Sequence, residues 1–260
     1  MAYYKLKHKN MQNDNQKSIA GAILVVGVLI AGAILLKGSK APEPIGVPNN
    51  NGIPVATAPA LDPVNKEDRV MGNPQAKVAL VLYEDFQCPF CGAINGSQSS
   101  AALMQSLKQR DPNWTPFMPE IINNYVKSGD VLFVYRDWAF LGPESVKSAE
   151  AARCAGDQKK FWEYHDYLYN HQNGENQGAF SDPNLKSFAQ ILNLNSSSFD
   201  KCLDEGKYTQ AVADSKAGGT KAGVNGTPKG FILRSGKIVS TIDGAESFAT
   251  VKQKIDSALK

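Results

Sequence analysis

Cys88-Pro89-Phe90-Cys91 holds the residue types best suited to chemistry in this chain. Two cysteines at this spacing can exchange disulfides or supply half of a zinc site. A zinc site needs further soft ligands, and the sequence has no second Cys-x-x-Cys and no histidine within 70 residues of Cys91. The spacing, with proline inside it, therefore points to thiol–disulfide exchange. Pro89 suits the first turn of a helix, where its missing N–H is no loss. Cys88 then sits at the helix N-terminus, beside free N–H groups and the positive dipole end, which favour the nucleophilic thiolate. Cys91, one turn further in, is the resolving partner.

That reading needs an element that delivers the cysteines. Lys77 to Tyr83 is an apolar, β-prone run and reads as the strand before the Cys88 helix. The helix itself is weakly written, with Gly92, Asn95, Gly96 and Ser97. Ser100 to Gln109 and Pro119 to Lys127 read as helices, separated by Asp111-Pro112-Asn113-Trp114-Thr115-Pro116, and Val131 to Tyr135 as a strand. Five helical segments follow: 144–155, 159–169, 184–192, 197–205 and 209–222. Residues 229–240 then read as a hairpin around Ser235-Gly236, and Phe248 to Leu259 as an amphipathic helix. Strand, helix, strand, helical block, hairpin and helix make an α/β domain over 67–260, with a helical insertion at about 144–222.

The N-terminal part is of another kind. Residues 1–17 are polar and lysine-rich, and Ile19 to Leu36 has no charge. As a helix that run measures about 27 Å, enough to cross a bilayer core. The expectation is a transmembrane anchor over 18–36; a signal peptide cleaved near Ala31-Gly32-Ala33 is the rival. Four lysines before the run and two after it favour a cytoplasmic N-terminus and an extracytoplasmic catalytic domain. Residues 37–66 carry six prolines and read as a solvated linker. The formal charge of +3 belongs to the N-terminus. Residues 1–40 hold six lysines and Asp14, a net +5, so 41–260 carry −2 and no nucleic-acid surface is indicated.

Glu84-Asp85-Phe86-Gln87-Cys88-Pro89-Phe90-Cys91, Phe133-Val134-Tyr135-Arg136-Asp137, Ala151-Ala152-Arg153-Cys154-Ala155, Phe161-Trp162-Glu163-Tyr164-His165-Asp166 and Gly223-Val224-Asn225-Gly226-Thr227-Pro228 are spread over roughly 68–260. Together they resemble the DsbA-like thiol–disulfide oxidoreductases of the thioredoxin superfamily. The resemblance implies a thioredoxin fold with an inserted helical domain. It also implies a cis Pro228 facing the cysteine pair, with Thr227 free to pair with an extended substrate. Three departures stand out. The buried glutamate often found six residues before the first cysteine, which helps move the resolving proton, is Leu82 here. Glu84 lies on the same strand face, about 7 Å on, and is the candidate substitute for that acid; it is expected near the mouth of the site, opposing the Cys88 thiolate, with a solvated surface carboxylate as the alternative. Phe90 replaces a histidine common in strongly oxidising members. Residues 96–119 form a longer connection than usual, with Trp114 and Phe117 in it, read as a substrate-facing loop or a surface elaboration packing its own aromatics.

The expected function is a membrane-tethered enzyme that introduces disulfides into reduced secreted proteins and is reoxidised by a quinone-linked membrane protein. It requires no metal and no organic cofactor. Thiol–disulfide exchange is reversible, so a reductase or isomerase is the near alternative, and a tethered metal-binding or holdase module the distant one. Cys154 and Cys202 read as a structural disulfide suited to an oxidising compartment, with two buried thiols as the alternative. His165 and His171 read as packing or surface residues.

Overall fold

Val78–Glu84 is apolar up to its last residue and forms a strand buried on both faces, the pattern of a central strand. The computed structural model describes residues 60–260. The expected basic N-terminus, the 18–36 anchor and residues 37–59 of the expected linker lie outside them. Among the described residues no helix is long and apolar enough to cross a membrane.

In chain order the elements are β1 (Arg69–Met71), β2 (Val78–Glu84), α1 (Pro89–Ile94), a 3-10 turn (Gln98–Ser100), α2 (Ala101–Arg110), α3 (Phe117–Ile121), a π-helical stretch (Ile122–Val126) and β3 (Val131–Asp137). Helices α4 (Pro143–Asp157), α5 (Phe161–Asn170), α6 (Asp182–Ile191), α7 (Ser196–Asp204) and α8 (Thr209–Lys221) follow. The hairpin β4 (Lys229–Arg234) and β5 (Lys237–Asp243) and helix α9 (Phe248–Leu259) close the chain. The sheet order is β1-β3-β2-β4-β5. β2 runs parallel to β3 and antiparallel to β4, with Leu82 opposite Tyr135 and Gly230. This is the thioredoxin fold with a helical insertion between β3 and β4.

Strand alternation divides the core. Leu80 and Leu82 join Phe86, Cys91 and residues of α4 to α7 and α9 on one face; Val81, Tyr83, Val134 and Phe231 pack on the other. Both cysteine pairs belong to the first face.

Four details differ from the sequence reading. β1, only three residues long, carries no periodicity to find. The helix expected from Pro119 begins at Phe117 and ends in π geometry. Trp114 and Phe117 are buried in the body of the domain, and Trp114 Nε1 donates to the Ala245 carbonyl at 2.8 Å, so the aromatics of 96–119 pack into the domain and not on each other. The last residues of the expected linker are held to the fold. The buried Arg136 guanidinium donates to the carbonyls of Asp62 and Pro63, each at 3.0 Å, and to both carboxylate oxygens of Asp68, at 2.7 and 2.8 Å. A guanidinium taken out of water needs its donors met, and this segment meets them.

Candidate active site

Cys88 is the N-cap of α1, with extended backbone, and Pro89 occupies the first turn. Its sulfur points to the other side of the site, where the Thr227 carbonyl accepts from the thiol at 3.3 Å. The Thr227–Pro228 bond is cis. Strands β2 and β4 are neighbours in the sheet, so the residues before β4 come to lie against the start of α1. Cys88 is 4% exposed, Cys91 wholly buried, and the Phe90 ring is 41% exposed at the rim. α1 lies close to its neighbours at Gly92, where a Cβ would come within 2.6 Å of Gln172 Oε1. That is why this weak helix former stands immediately after Cys91.

The two thiols are pushed in opposite directions. Cys88 falls below the ordinary thiol value because the Cys91 thiol donates to its sulfur, which outweighs its burial. The backbone N–H groups of Cys91 and Phe90 add to this. Cys91 is raised well above it, first by burial, then by the Cys88 sulfur and the Glu84 charge. One sulfur is thus a thiolate at lower pH while the other keeps its proton.

Glu84 is neither near the mouth nor solvated. It shares the core face with Leu82, and that face lies under α5, so its carboxylate is completely buried. Asn95 Nδ2 donates to Glu84 Oε1 at 2.9 Å and to the Cys91 carbonyl at 3.0 Å. Tyr169 Oη donates to Oε2 at 3.2 Å, and His165 Nε2 stands 3.7 Å from the same oxygen. The Glu84 charge is among the leading causes that raise Cys91, whereas the sequence suggested an effect on Cys88, whose leading causes are its contacts with Cys91 and Thr227.

Other supports were not visible in the sequence. Buried Asp85 accepts from the backbone N–H groups of Gln87 (2.8 Å), Phe140 (2.8 Å) and Leu141 (3.1 Å) and from Ser145 Oγ (2.7 Å), pinning the β2–α1 turn to the loop after β3. Gln172 Nε2 donates to the carbonyls of Phe86 (2.6 Å) and Cys88 (3.0 Å). Asp85 stood inside a quoted motif; Gln172 stood in none. His165 is buried among Phe86, Tyr135 and Tyr169, whereas His171 stacks on Tyr167 with ring centres 3.9 Å apart. Cys154 of α4 and Cys202 of α7 are joined in a disulfide. Among the described residues no group of three or more His, Cys, Asp or Glu side chains stands placed to hold a metal ion.

Comparison with known proteins gives a consistent picture. A family described as Thioredoxin matches residues 64–108 and 113–257. BdbD from Bacillus subtilis, in its oxidised form, superposes with a TM-score of 0.62 at 20% identity, covering 76% of this chain and 95% of that one. Alpha-DsbA1 from Wolbachia pipientis gives 0.63 at 18% identity, covering 78% and 96%. A Rickettsia bellii protein named as a protein-disulfide oxidoreductase is 22% identical over 170 residues, 65% of this chain and 58% of that protein. A Na(+)/H(+) antiporter NhaA 1 of Salinispora arenicola is 29% identical over 167 residues, 64% of this chain and 21% of the antiporter. The chain thus spans about a fifth of the length of that relative.

Proposed function

The chain belongs to the thioredoxin family, and from that premise we propose that it is a protein thiol–disulfide oxidoreductase that introduces disulfides into secreted proteins through Cys88 and Cys91. The observation that carries this is the placement of Cys88 at the N-cap of α1, 3.3 Å from the Thr227 carbonyl beside the cis Pro228, with Cys91 buried one turn further in. A substrate thiolate attacks Cys88 Sγ of the oxidised pair, and Cys91 leaves. A second substrate thiol then attacks the substrate sulfur of the mixed disulfide, which releases an oxidised substrate and a reduced enzyme. A low thiol value at Cys88 favours its departure in that second step and stabilises the reduced enzyme, which makes the pair an oxidant. Beside it, the backbone of Thr227 pairs with an extended substrate segment.

The disulfide between Cys154 and Cys202 supports an oxidising compartment. In this reading the 18–36 run tethers the catalytic domain outside the cytoplasm, and a quinone-linked membrane protein restores the Cys88–Cys91 bond. Phe90 favours a second reading, a reductase or isomerase, because its ring offers the Cys88 sulfur no donor. The reduction potential of the pair separates the two: a value well above about −270 mV supports the oxidase, and a value near it supports the reductase. Cys91→Ser is expected to accumulate mixed disulfides with substrate proteins through Cys88, and Cys88→Ser to accumulate none, read by mass spectrometry of acid-quenched samples. Trapping through Cys91 in the Cys88→Ser protein would reverse the roles.

A further inference from the structure

Cys91 gains or loses a proton each time the Cys88–Cys91 bond opens or closes. Its sulfur has no contact with solvent, so a buried neighbour must hold that proton during the step. The titratable groups facing this part of the core are Glu84 from β2, Asp85 after it, Tyr135 and Asp137 from β3, and His165 and Tyr169 from α5. Asp85 is held by three backbone N–H groups and Ser145, and Asp137 is paired with Arg153 of α4 at 2.6 Å. Burial lifts both tyrosines well above their ordinary value, so they keep their protons. Glu84 and His165 remain.

Their arrangement suits the task. Asn95 ties Glu84 Oε1 to the Cys91 backbone, which fixes the carboxylate against the start of α1. The other oxygen faces His165 Nε2 at 3.7 Å, and that nitrogen is buried without a hydrogen-bond partner. His165 Nδ1 lies 2.8 Å from Asp166 Oδ1, so it carries its own proton and leaves Nε2 as the nitrogen that trades with Glu84. The Asp166 side chain is 75% exposed. A line of titratable atoms therefore runs from beside Cys91 to the surface.

Glu84 stands in for the acid that, by the resemblance, moves the resolving proton, and we propose that His165 is a positioning residue that supplies that proton to Cys91 through Glu84. The proposal rests on the exchange reaction described above. When a thiolate attacks Cys88 Sγ, the Cys88–Cys91 bond breaks and Cys91 departs with the bonding electron pair. The imidazolium Nε2 gives its proton to the Glu84 carboxylate, which passes it on to the Cys91 thiolate, so the step ends with a Cys91 thiol, a Glu84 carboxylate and a neutral imidazole. Closure runs the same transfers backwards. Burial pulls the imidazole down, but the Asp166 and Glu84 carboxylates outweigh it and lift His165 above its ordinary value, which keeps the imidazole charged near neutrality.

The test uses single-turnover opening of the oxidised domain by glutathione across pH, followed by tryptophan fluorescence. His165→Gln is expected to slow opening about tenfold near neutral pH, less than the roughly 10²–10⁴-fold of a lost direct proton donor because His165 acts through Glu84, and to flatten its pH profile. Alkylation of Cys88 in the reduced protein should be unchanged. Asp166→Asn, at an exposed position, removes an anion that lifts the imidazole, so the midpoint of the profile should move to lower pH. A folded His165→Gln protein with the wild-type profile overturns the proposal. If His165→Gln does not fold, an unmoved midpoint in Asp166→Asn does so alone. Glutathione replaces the protein substrate throughout. Normal opening without any capture of protein thiols would remove the proposed function and leave this proposal standing.

Discussion

The core contains two buried cysteine pairs, and burial alone does not distinguish them. Cys88 and Cys91 share one turn at the start of α1, while Cys154 and Cys202 lie in different helices, 48 residues apart, and are joined. What sets the first pair apart is the end of a helix. Cys88 has backbone N–H groups and a second thiol aimed at its sulfur. Cys154 lies inside α4 and Cys202 inside α7, where the helical N–H groups are already used. The lesson is that exchange chemistry comes from an unpaired helix terminus facing an accessible rim, and stapling comes from the length of chain closed.

Removing the bonds one at a time would break this comparison most sharply. Replacing Cys154 and Cys202 together by alanine should destabilise the domain by up to about 4 kcal/mol, the chain-entropy value for a loop of this size. The rate at which Cys88 is alkylated should not change. Replacing Cys88 and Cys91 by alanine should abolish exchange and alter stability far less, since the loop closed is minimal. Denaturant melts with alkylation kinetics on both variants check this. Equal losses of stability would show that the two bonds do not divide as structure and chemistry.

Much of this was legible in the sequence, for reasons that differ by residue. The reactive pair shows in spacing and in the β-prone run before it, since strand and helix caps are local. The five helices of the insertion show in their periodicity. The Thr227–Pro228 site came from resemblance, because a Thr-Pro pair alone reads as any turn. The environment of Glu84 was not legible: strand alternation gave its face, but not that α5 covers that face with His165, 81 residues away. The anchoring of residues 60–66 escaped for a related reason. Proline density speaks for solvated chain, and nothing local shows that Arg136 takes its carbonyls.

Glu84→Gln sharpens the contrast inside the reactive pair. The carboxylate charge is among the leading causes that raise Cys91 and not among the leading causes that set Cys88. Its removal should bring the second, higher thiol step of the reduced protein down toward the ordinary range, and leave the first where it is. Thiolate absorbance against pH reads both steps, which belong to the coupled pair. A fall in the first step with the second unmoved would place the Glu84 charge beside Cys88 after all.

The smallest expected effect concerns stability against pH, and the oxidised protein isolates it because neither thiol then titrates. The folded protein holds the His165 proton more tightly than the unfolded chain does, since the Asp166 and Glu84 carboxylates outweigh burial. A group raised on folding contributes its full stabilisation below the unfolded value, about 6.5 for histidine. That contribution fades as pH rises through the folded value, because there the folded state loses the proton it had bound more strongly. Stability of the oxidised domain should therefore decline from about pH 6.5 upward, and His165→Gln should remove that part of the decline. Cys154 and Cys202 have no such coupling, so their alanine variant should keep the slope while losing height. Urea melts at intervals from mildly acidic to mildly alkaline pH read both. A His165→Gln slope equal to that of the wild type would mean that the imidazole is buried neutral and that Glu84 faces Cys91 without it.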